Sequence, residues 1–216
     1  MAASLIAIAG VDGSGKSTQV RRLVASLNDG GAPAQAYKVD HLASCGFMWL
    51  AERMTGDPFQ YHPLVPSTLR EFTIATDVVR CYFHEVHPLV DAGVHVVWDR
   101  SPLCYRAYMR AYGADTTWPE ALIGLVPDPD ITVLLDVEPD VALTRLINRD
   151  GAVRADHGRS LLKRAVAAYR RLAGESSRVV VVDGSQAEDE VAHAIERLVH
   201  PRSEATAATA STAGRP

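Results

Sequence analysis

A segment near the start of the chain carries the residue types that bind phosphate. Gly10–Thr18 reads GVDGSGKST and fits the pattern GxxxxGK[ST]. Glycines let successive backbone N–H groups turn inward into a concave anion site, and the N-terminus of a following helix adds partial positive charge. In such loops the lysine, here Lys16, reaches the β- and γ-phosphates of ATP, and the next hydroxyl, here Ser17, is a ligand of Mg²⁺. The residues predicted to contact ATP in this loop are Asp12, Gly13, Ser14, Gly15, Lys16, Ser17 and Thr18.

A second pair of reactive side chains, Asp99 and Arg100, follows directly after the apolar run Val94–Trp98. A carboxylate at the tip of a buried strand beside a phosphate loop can hold Mg²⁺ through water, or accept a proton from an attacking group. The planar guanidinium of Arg100 can donate two parallel hydrogen bonds to phosphate oxygens. We therefore predict Asp99 as a metal and catalytic residue and Arg100 as a catalytic, substrate-binding residue. An ion pair that only caps the strand end is the alternative.

Four arginines, Arg145, Arg149, Arg154 and Arg159, form a spaced basic series. Arg145 and Arg149 are four residues apart and share one helix face. Arginines that close over a transferring phosphoryl group stabilise its charge, and a closed lid keeps out water that would hydrolyse ATP. We predict an arginine-bearing lid at about residues 149–159, with Arg149 and Arg154 catalytic and Arg145 at the nucleotide. The alternative is a solvated helix end, because basic residues favour helix C-termini.

Alternating strand and helix patterns predict the scaffold that positions these groups. Short apolar runs bounded by turn signals are typical of buried parallel strands. They are Leu5–Ala9, Val94–Trp98, Ile131–Leu135 and Val179–Val182, with a weaker run at Ala36–Val39. Helical patterns span Gly15–Leu27, Leu69–Val90 and Pro139–Arg149. This alternation predicts an α/β three-layer sandwich of the P-loop NTPase type, with a mostly parallel sheet whose ligands bind beyond the carboxyl ends of its strands.

The composition limits the classes of protein to consider. With 216 residues, of which 47% are hydrophobic and 22% charged, the chain fits one globular P-loop domain, residues 1–200, and a disordered Ala/Thr/Ser-rich tail, residues 201–216. A formal charge of −4 argues against binding of a nucleic acid polymer. No apolar run approaches the ~18 residues of a membrane helix, and the N-terminus lacks a basic lead. We therefore expect a cytoplasmic protein without membrane contact.

Five segments in order resemble the thymidylate kinase family. They are GVDGSGKST, VWDRSPLCYRAY, PDPDITVLLDVEPDVALTR, SLLKRAVAAYRRLA and VVDGSQAEDEVAHAI, and the resemblance covers roughly residues 4–200. It implies a five-stranded parallel core, an arginine-bearing lid and often a homodimer. It also implies that Asp12 contacts the acceptor sugar or the metal, that Arg100 contacts the acceptor phosphate, and that Gln186 lies against adenine. Some members carry a catalytic arginine where this chain has Gly13, which assigns that role here to the lid.

The sequence departs from the family at the acceptor side. The family's glutamate-proline-glycine-glycine stretch is replaced by Val39-Asp40-His41-Leu42, and Val78 stands where an arginine of the long helix is expected. Ser101 follows the Asp-Arg pair where an aromatic residue is common. These differences leave the identity of the phosphate acceptor open.

Three functions are compatible with these residues. The first is an ATP- and Mg²⁺-dependent phosphotransferase acting on a nucleoside monophosphate, whose second anion site would draw on Arg100, Arg80 and Arg70, with Phe72 as a further substrate contact. The second is a kinase of a nucleoside, or of a nucleoside-like natural product, with Asp40 as general base and substrate contact and Asp99 in reserve. The third is a P-loop ATPase or regulatory nucleotide-binding module without a small-molecule acceptor.

Overall fold

Five strands form one parallel sheet in the computed structural model, which describes residues 3–151 and 158–199. The strands are β1 (Leu5–Ala9), β2 (Ala34–Lys38), β3 (His95–Asp99), β4 (Ile131–Asp136) and β5 (Val179–Asp183). Their order is β2-β3-β1-β4-β5, and each neighbouring pair is parallel. The predicted five-stranded parallel sheet is confirmed. Because β1 lies between β3 and β4, the loop after β1 opens beside Asp99 at the end of β3.

Helices connect the strands and cover the sheet. They are α1 (Lys16–Asp29), α2 (Cys45–Thr55), α3 (Tyr61–Leu64), α4 (Ser67–Cys81), α5 (His87–Asp91), α6 (Pro102–Tyr112), α7 (Thr117–Ile123), α8 (Pro139–Asp150), α9 (Arg159–Gly174) and α10 (Glu188–Val199). A 3₁₀ turn at Pro58–Gln60 precedes α3, and a π-helical segment at Tyr82–Val86 joins α4 to α5.

The core lies on both faces of the sheet, as the nearly continuous apolar strands predict. On one face, Ile6 and Ile8 of β1 pack with residues of α1 and α10, including Leu23 and Ile195. On the other face, Val96 and Trp98 of β3 pack against α4, α6 and α7, while neighbouring strand residues pack against α8 and α9. Burial of both faces stabilises the sheet and fixes where its carboxyl edge stands.

The long helix predicted over Leu69–Val90 is present but interrupted. Regular α4 ends at Cys81, the π-helical segment follows, and α5 resumes at His87 with Pro88 in its first turn. Proline has no N–H to donate, and its ring clashes with the carbonyl four residues earlier, which accounts for the altered winding just before it.

Two sequence predictions fall partly or wholly outside the described residues. Residues 152–157 of the predicted lid, including Arg154, and the predicted tail at 201–216 lie there. Within the described ranges, no helix is both long enough and apolar enough to cross a bilayer.

Candidate active site

The phosphate loop takes its shape from glycines in backbone conformations that other residues rarely adopt. Gly10 and Gly13 have φ values of 142° and 85°. A Cβ atom at Gly13 would lie 2.4 Å from the carbonyl oxygen of Ala142, and one at Gly10 would lie 2.7 Å from that of Leu135. Neither backbone oxygen can move aside cheaply, so both positions require glycine. The close approach at Gly13 also holds the start of α8 against the loop.

Lys16 opens α1 with its ammonium group buried in the loop. Its Nζ donates a hydrogen bond to the carbonyl oxygen of Val11 at 2.9 Å and lies 3.8 Å from Asp12. Burial lowers the pKa of Lys16, and the negative charge of Asp12 opposes this effect. Burying an ammonium costs free energy that phosphate oxygens would offset, so this group is suited to a polyanionic ligand.

The next residue, Ser17, forms the second half of the loop's chemistry together with Asp99. The Ser17 hydroxyl donates to Oδ2 of Asp99 at 2.6 Å. Oδ1 of Asp99 is buried and has no hydrogen-bond partner among the described residues. A buried carboxylate oxygen without a partner is costly unless a ligand satisfies it. The pair therefore offers a hydroxyl and a carboxylate to a small hard cation.

Ser17 and Asp99 would provide only two protein side chains as ligands to a metal ion. In residues 3–151 and 158–199 no group of three or more His, Cys, Asp or Glu side chains is arranged to hold a metal ion. Mg²⁺ is usually bound by one or two protein oxygens together with substrate phosphates and water, without a full protein cage. Ser17 and Asp99 match that requirement.

Two adjoining cavities surround the loop. One, of about 410 Å³, extends over Lys16 and Ser17 toward Asp99 and Arg149. The other, of about 250 Å³, lies between the loop and Gln186. Arg145 lines both and donates to the carbonyl oxygen of Gly184 at 2.9 Å. Every residue predicted to contact ATP lines at least one of them: Asp12, Gly13, Ser14, Gly15, Lys16, Ser17, Thr18, Arg145 and Gln186.

An ion pair joins Asp12 of the phosphate loop to Arg100, the residue that follows β3. Arg100 donates to Oδ1 of Asp12, while the Tyr108 hydroxyl donates to Oδ2 of Asp12 at 3.1 Å. Arg100 has a φ of 70°, which is unusual for a residue with a side chain. Tyr108, on α6, is a site residue that the sequence analysis did not single out. The sequence gives little indication of this role, because a single tyrosine on an amphipathic helix usually packs in the core.

A third cavity, of about 290 Å³, opens beyond this ion pair. Asp12, Lys38 and Arg100 line both this cavity and the phosphate cavity. Aromatic residues make up much of the remaining wall: Phe59, Tyr61, Tyr105, Tyr108 and Tyr112. A cavity that joins cationic groups at one end to aromatic walls suits a second ligand with an anionic end and a flat ring.

Lys38 is a further residue that sequence reasoning missed. It ends β2 and lies in register with Asp99 of β3, so the two side chains leave the same face of the sheet. In the described part of the chain no acidic group forms an ion pair with Lys38. Its position near the carboxyl end of a predicted strand could have identified Lys38 as a site residue. The prediction singled out the nearby Asp40 in its place.

Four residues predicted to bind the acceptor lie away from this cavity. The Asp40 carboxylate is 72% exposed and lies 4.0 Å from Arg80, whose guanidinium also contacts Glu85. Arg70 is buried in an ion pair, and Phe72 is 40% exposed on the outer side of α4. None of these four lines the described cavities. The phase of α4 turns Glu71 and Ile74 toward the cavity in their place.

The described lid arginines are held by carboxylates. Arg149 lines the phosphate cavity and donates to Asp150 at 2.6 Å. Arg159 donates to Asp140 at 2.6 Å. Of the two lid arginines predicted to be catalytic, Arg149 lies in the described residues, at the edge of the phosphate cavity, and Arg154 lies outside them.

The geometry agrees with the chain's similarity to known proteins. Residues 61–195 match the family model described as thymidylate kinase. A probable thymidylate kinase of Pyrobaculum aerophilum is 30% identical over 196 residues, which cover 91% of this chain and 96% of that protein. Thymidylate kinases of Solidesulfovibrio magneticus and Jannaschia sp. are 31% and 32% identical, covering 88% and 91% of this chain and 95% and 96% of those proteins.

Proposed function

Because the chain belongs to the thymidylate kinase family and is an ATP-dependent nucleotide kinase, we propose that it transfers the γ-phosphoryl group of ATP, with Mg²⁺, to the phosphate of a nucleoside monophosphate. One observation carries this proposal. The phosphate cavity and the aromatic cavity meet at Asp12, Lys38 and Arg100. Two cations at the junction of two cavities suit the meeting of two phosphate groups.

The ATP end of the proposal rests on the loop and its two cavities. Lys16 would exchange its bond to the Val11 carbonyl oxygen for bonds to the β- and γ-phosphates. Arg145 and Gln186 would contact the nucleoside part of ATP. Ser17 and Asp99 would hold Mg²⁺, which neutralises charge that develops on the phosphates during transfer. Arg149, at the edge of the phosphate cavity, would place a positive charge beside the transferring phosphoryl group. We propose the same role for Arg154.

The acceptor end rests on Arg100 and Lys38. Arg100 is oriented by Asp12, which is itself held by Tyr108, so its guanidinium is fixed before the acceptor arrives. Lys38 stands across the junction with no described acidic partner to neutralise it. Together they would bring an acceptor phosphate oxygen toward the γ-phosphorus and counter the repulsion between two anions. In this arrangement Asp12 positions Arg100 and borders the acceptor sugar.

A nucleoside kinase is the less favoured function. A neutral hydroxyl acceptor needs a general base and no second anion site. Asp40, the base predicted for that reaction, points toward Arg80 and solvent. The two cations at the junction would have no role in binding a neutral acceptor, whereas they match a monophosphate.

The experiment that tests this function compares nucleosides with their monophosphates as acceptors. We expect kcat/KM with Mg·ATP to be at least about 100-fold higher for monophosphates, since charge-assisted bonds to phosphate contribute ~1.5–3 kcal/mol each. Arg100→Met and Lys38→Met should each reduce kcat/KM for monophosphates by about 10–100-fold while leaving the KM for ATP within a few-fold. Lys163→Met, at an exposed lysine of α9, is the matched control. Higher kcat/KM for free nucleosides would contradict the proposal.

We also propose that the protein forms a homodimer, as its family resemblance implies. Leu69, Phe72 and Phe83 are exposed apolar side chains along α4 and the π-helical segment, and burying them in a symmetric contact would be favourable. Light scattering coupled to size exclusion should give twice the 23.4 kDa chain mass. A mass of one chain at micromolar concentration would contradict the proposal, and Phe72→Glu with Phe83→Glu should dissociate the dimer.

A further inference from the structure

We propose that the imidazole of His41 donates a hydrogen bond to the acceptor phosphate and becomes protonated when that phosphate binds. The inference rests on the proposed function, because its ligand is the same nucleoside monophosphate. It adds a third donor to Arg100 and Lys38, in a segment where the sequence departs from the thymidylate kinase family. There the family carries a glutamate-proline-glycine-glycine stretch that this chain lacks.

The backbone that carries His41 is held in place by a buried carboxylate. Asp77 of α4 is 1% exposed and accepts hydrogen bonds from the N–H groups of Ala43 and Ser44, at 2.7 and 3.1 Å. It also accepts from the Ser44 hydroxyl at 3.1 Å. The carbonyl oxygen of His41 accepts from the N–H of Cys45, the first residue of α2, at 3.0 Å. Because hydrogen bonds to an ionised carboxylate are strong, the connection from β2 to α2 presents His41 in a fixed position.

The ring of His41 lies in the wall of the acceptor cavity. The cavity of about 290 Å³ is lined by His41 together with Lys38 and Arg100. The ring meets Tyr105 of α6 edge-on, with centroids 6.5 Å apart. Tyr105 stays neutral near pH 7, because burial raises its pKa. In the part of the chain that the structure describes, no hydrogen bond joins the His41 ring nitrogens to another residue, so packing holds the ring while its nitrogens can bond a ligand.

The surroundings of His41 favour its neutral form before a ligand binds. Burial lowers the pKa of His41 from its ordinary 6.5, and the positive charge of Arg100 lowers it further. The carboxylate of Asp77 opposes this effect, Lys38 adds to it, and Asp40 opposes it. At pH 7.5 the free imidazole is therefore mostly neutral, with a ring nitrogen that can take up a proton.

A bound phosphate would change this balance. A phosphate monoester carries a charge of about −1.5 to −2 at pH 7, and between Arg100 and Lys38 it would lie beside the imidazole. That charge favours the protonated ring, which has an N–H donor on each nitrogen. Asp12, the carboxylate at this end of the cavity, is already bonded to Arg100 and Tyr108. A neutral nucleoside brings no such charge, so proton uptake should accompany phosphorylated acceptors alone.

Calorimetry in two buffers of different ionisation enthalpy measures the protons taken up when an acceptor binds. At pH 7.5 the wild type should take up at least about 0.3 proton more with thymidine monophosphate than with thymidine, because the pKa of His41 is higher in the complex than in the free protein. Equal uptake with both compounds would overturn the inference. Formation of the nucleoside diphosphate, measured separately, would leave the proposed function intact, whereas absence of diphosphate from every monophosphate would overturn both.

The variant His41→Asn keeps a side-chain N–H donor but cannot be protonated near neutral pH. For the wild type we expect the Kd of the monophosphate to rise by about three- to tenfold from pH 7 to 9, since affinity falls as the bound imidazole loses its proton. In His41→Asn the Kd should change little over that range, and the extra proton uptake should be lost. His193→Asn, at an exposed histidine of α10, is the matched control and should behave as the wild type. Unchanged pH dependence in folded His41→Asn, checked by its melting curve, would remove His41 from phosphate binding.

Discussion

Replacing Lys16 with alanine is expected to lower kcat by about 10²–10³-fold or more, the usual effect of removing a preorganised charge from transferring phosphate. The ammonium group already lies inside the loop, 2.9 Å from the Val11 carbonyl oxygen, so it needs only a small shift to reach phosphate. No other lysine lines the phosphate cavity except Lys38, at its far side, among the described residues. Steady-state turnover with saturating Mg·ATP and a monophosphate measures the effect, and Lys163→Ala is the control.

The same variant should not destabilise the protein without nucleotide. Because burial lowers the pKa of Lys16 below its ordinary 10.5, the unfolded chain binds more protons between the lowered pKa and 10.5. Stability therefore rises with pH through that window, and at neutral pH the buried ammonium lowers the free energy of unfolding. Lys16→Ala should melt at or above the wild-type temperature without ATP, and should lose the increase in Tm that ATP gives the wild type. Turnover near the wild-type value would rule out the assigned role of the loop.

The second large effect is expected at Asp99. Asp99→Asn keeps the size of the side chain and an oxygen to accept the Ser17 hydroxyl, but removes the negative charge. We expect kcat to fall by about 10²–10³-fold, because the buried Oδ1 would no longer offer a charged oxygen to the hydrated metal. Turnover should be measured across a Mg²⁺ titration, with the Mg²⁺ dependence of ATP affinity as a second readout.

Asp91→Asn provides a matched control for that experiment, since this aspartate is exposed at the end of α5. Its kcat and Mg²⁺ dependence should equal those of the wild type. If Asp99→Asn retained full turnover and bound ATP with unchanged Mg²⁺ dependence, Asp99 would be no more than the hydrogen-bond acceptor that caps Ser17.

The parts of the fold predicted well from sequence are those whose signal is local. Leu5–Ala9 is predicted and observed with the same bounds, because an apolar β-branched run ends at the glycine of the phosphate loop. The loop itself carries its geometry in its glycines, as the contacts of Gly10 and Gly13 demonstrate. Strand β2 carries the weakest signal in the sequence, since it lies at the sheet edge and three of its five residues are exposed.

The acceptor cavity was less predictable because it is assembled from distant segments. Lys38, Glu71 and Tyr105 come from β2, α4 and α6, and no local pattern connects them. Residues of one helix also divide between cavity and surface by phase alone, so Phe72 and Glu71 could be assigned only once the packing of α4 was known. The lid was predicted from one continuous segment, residues 149–159. Its central residue, Arg154, lies outside the described residues.

We expect two phosphate groups to meet between Lys16, Arg100 and Lys38 during the reaction. Phosphorus NMR of a reaction containing Mg·ATP and a nucleoside monophosphate tests it most directly. We expect ADP and the nucleoside diphosphate to appear in equal amounts, and neither to form at an appreciable rate when the monophosphate is left out. Formation of ADP with inorganic phosphate at a rate independent of the monophosphate would contradict it.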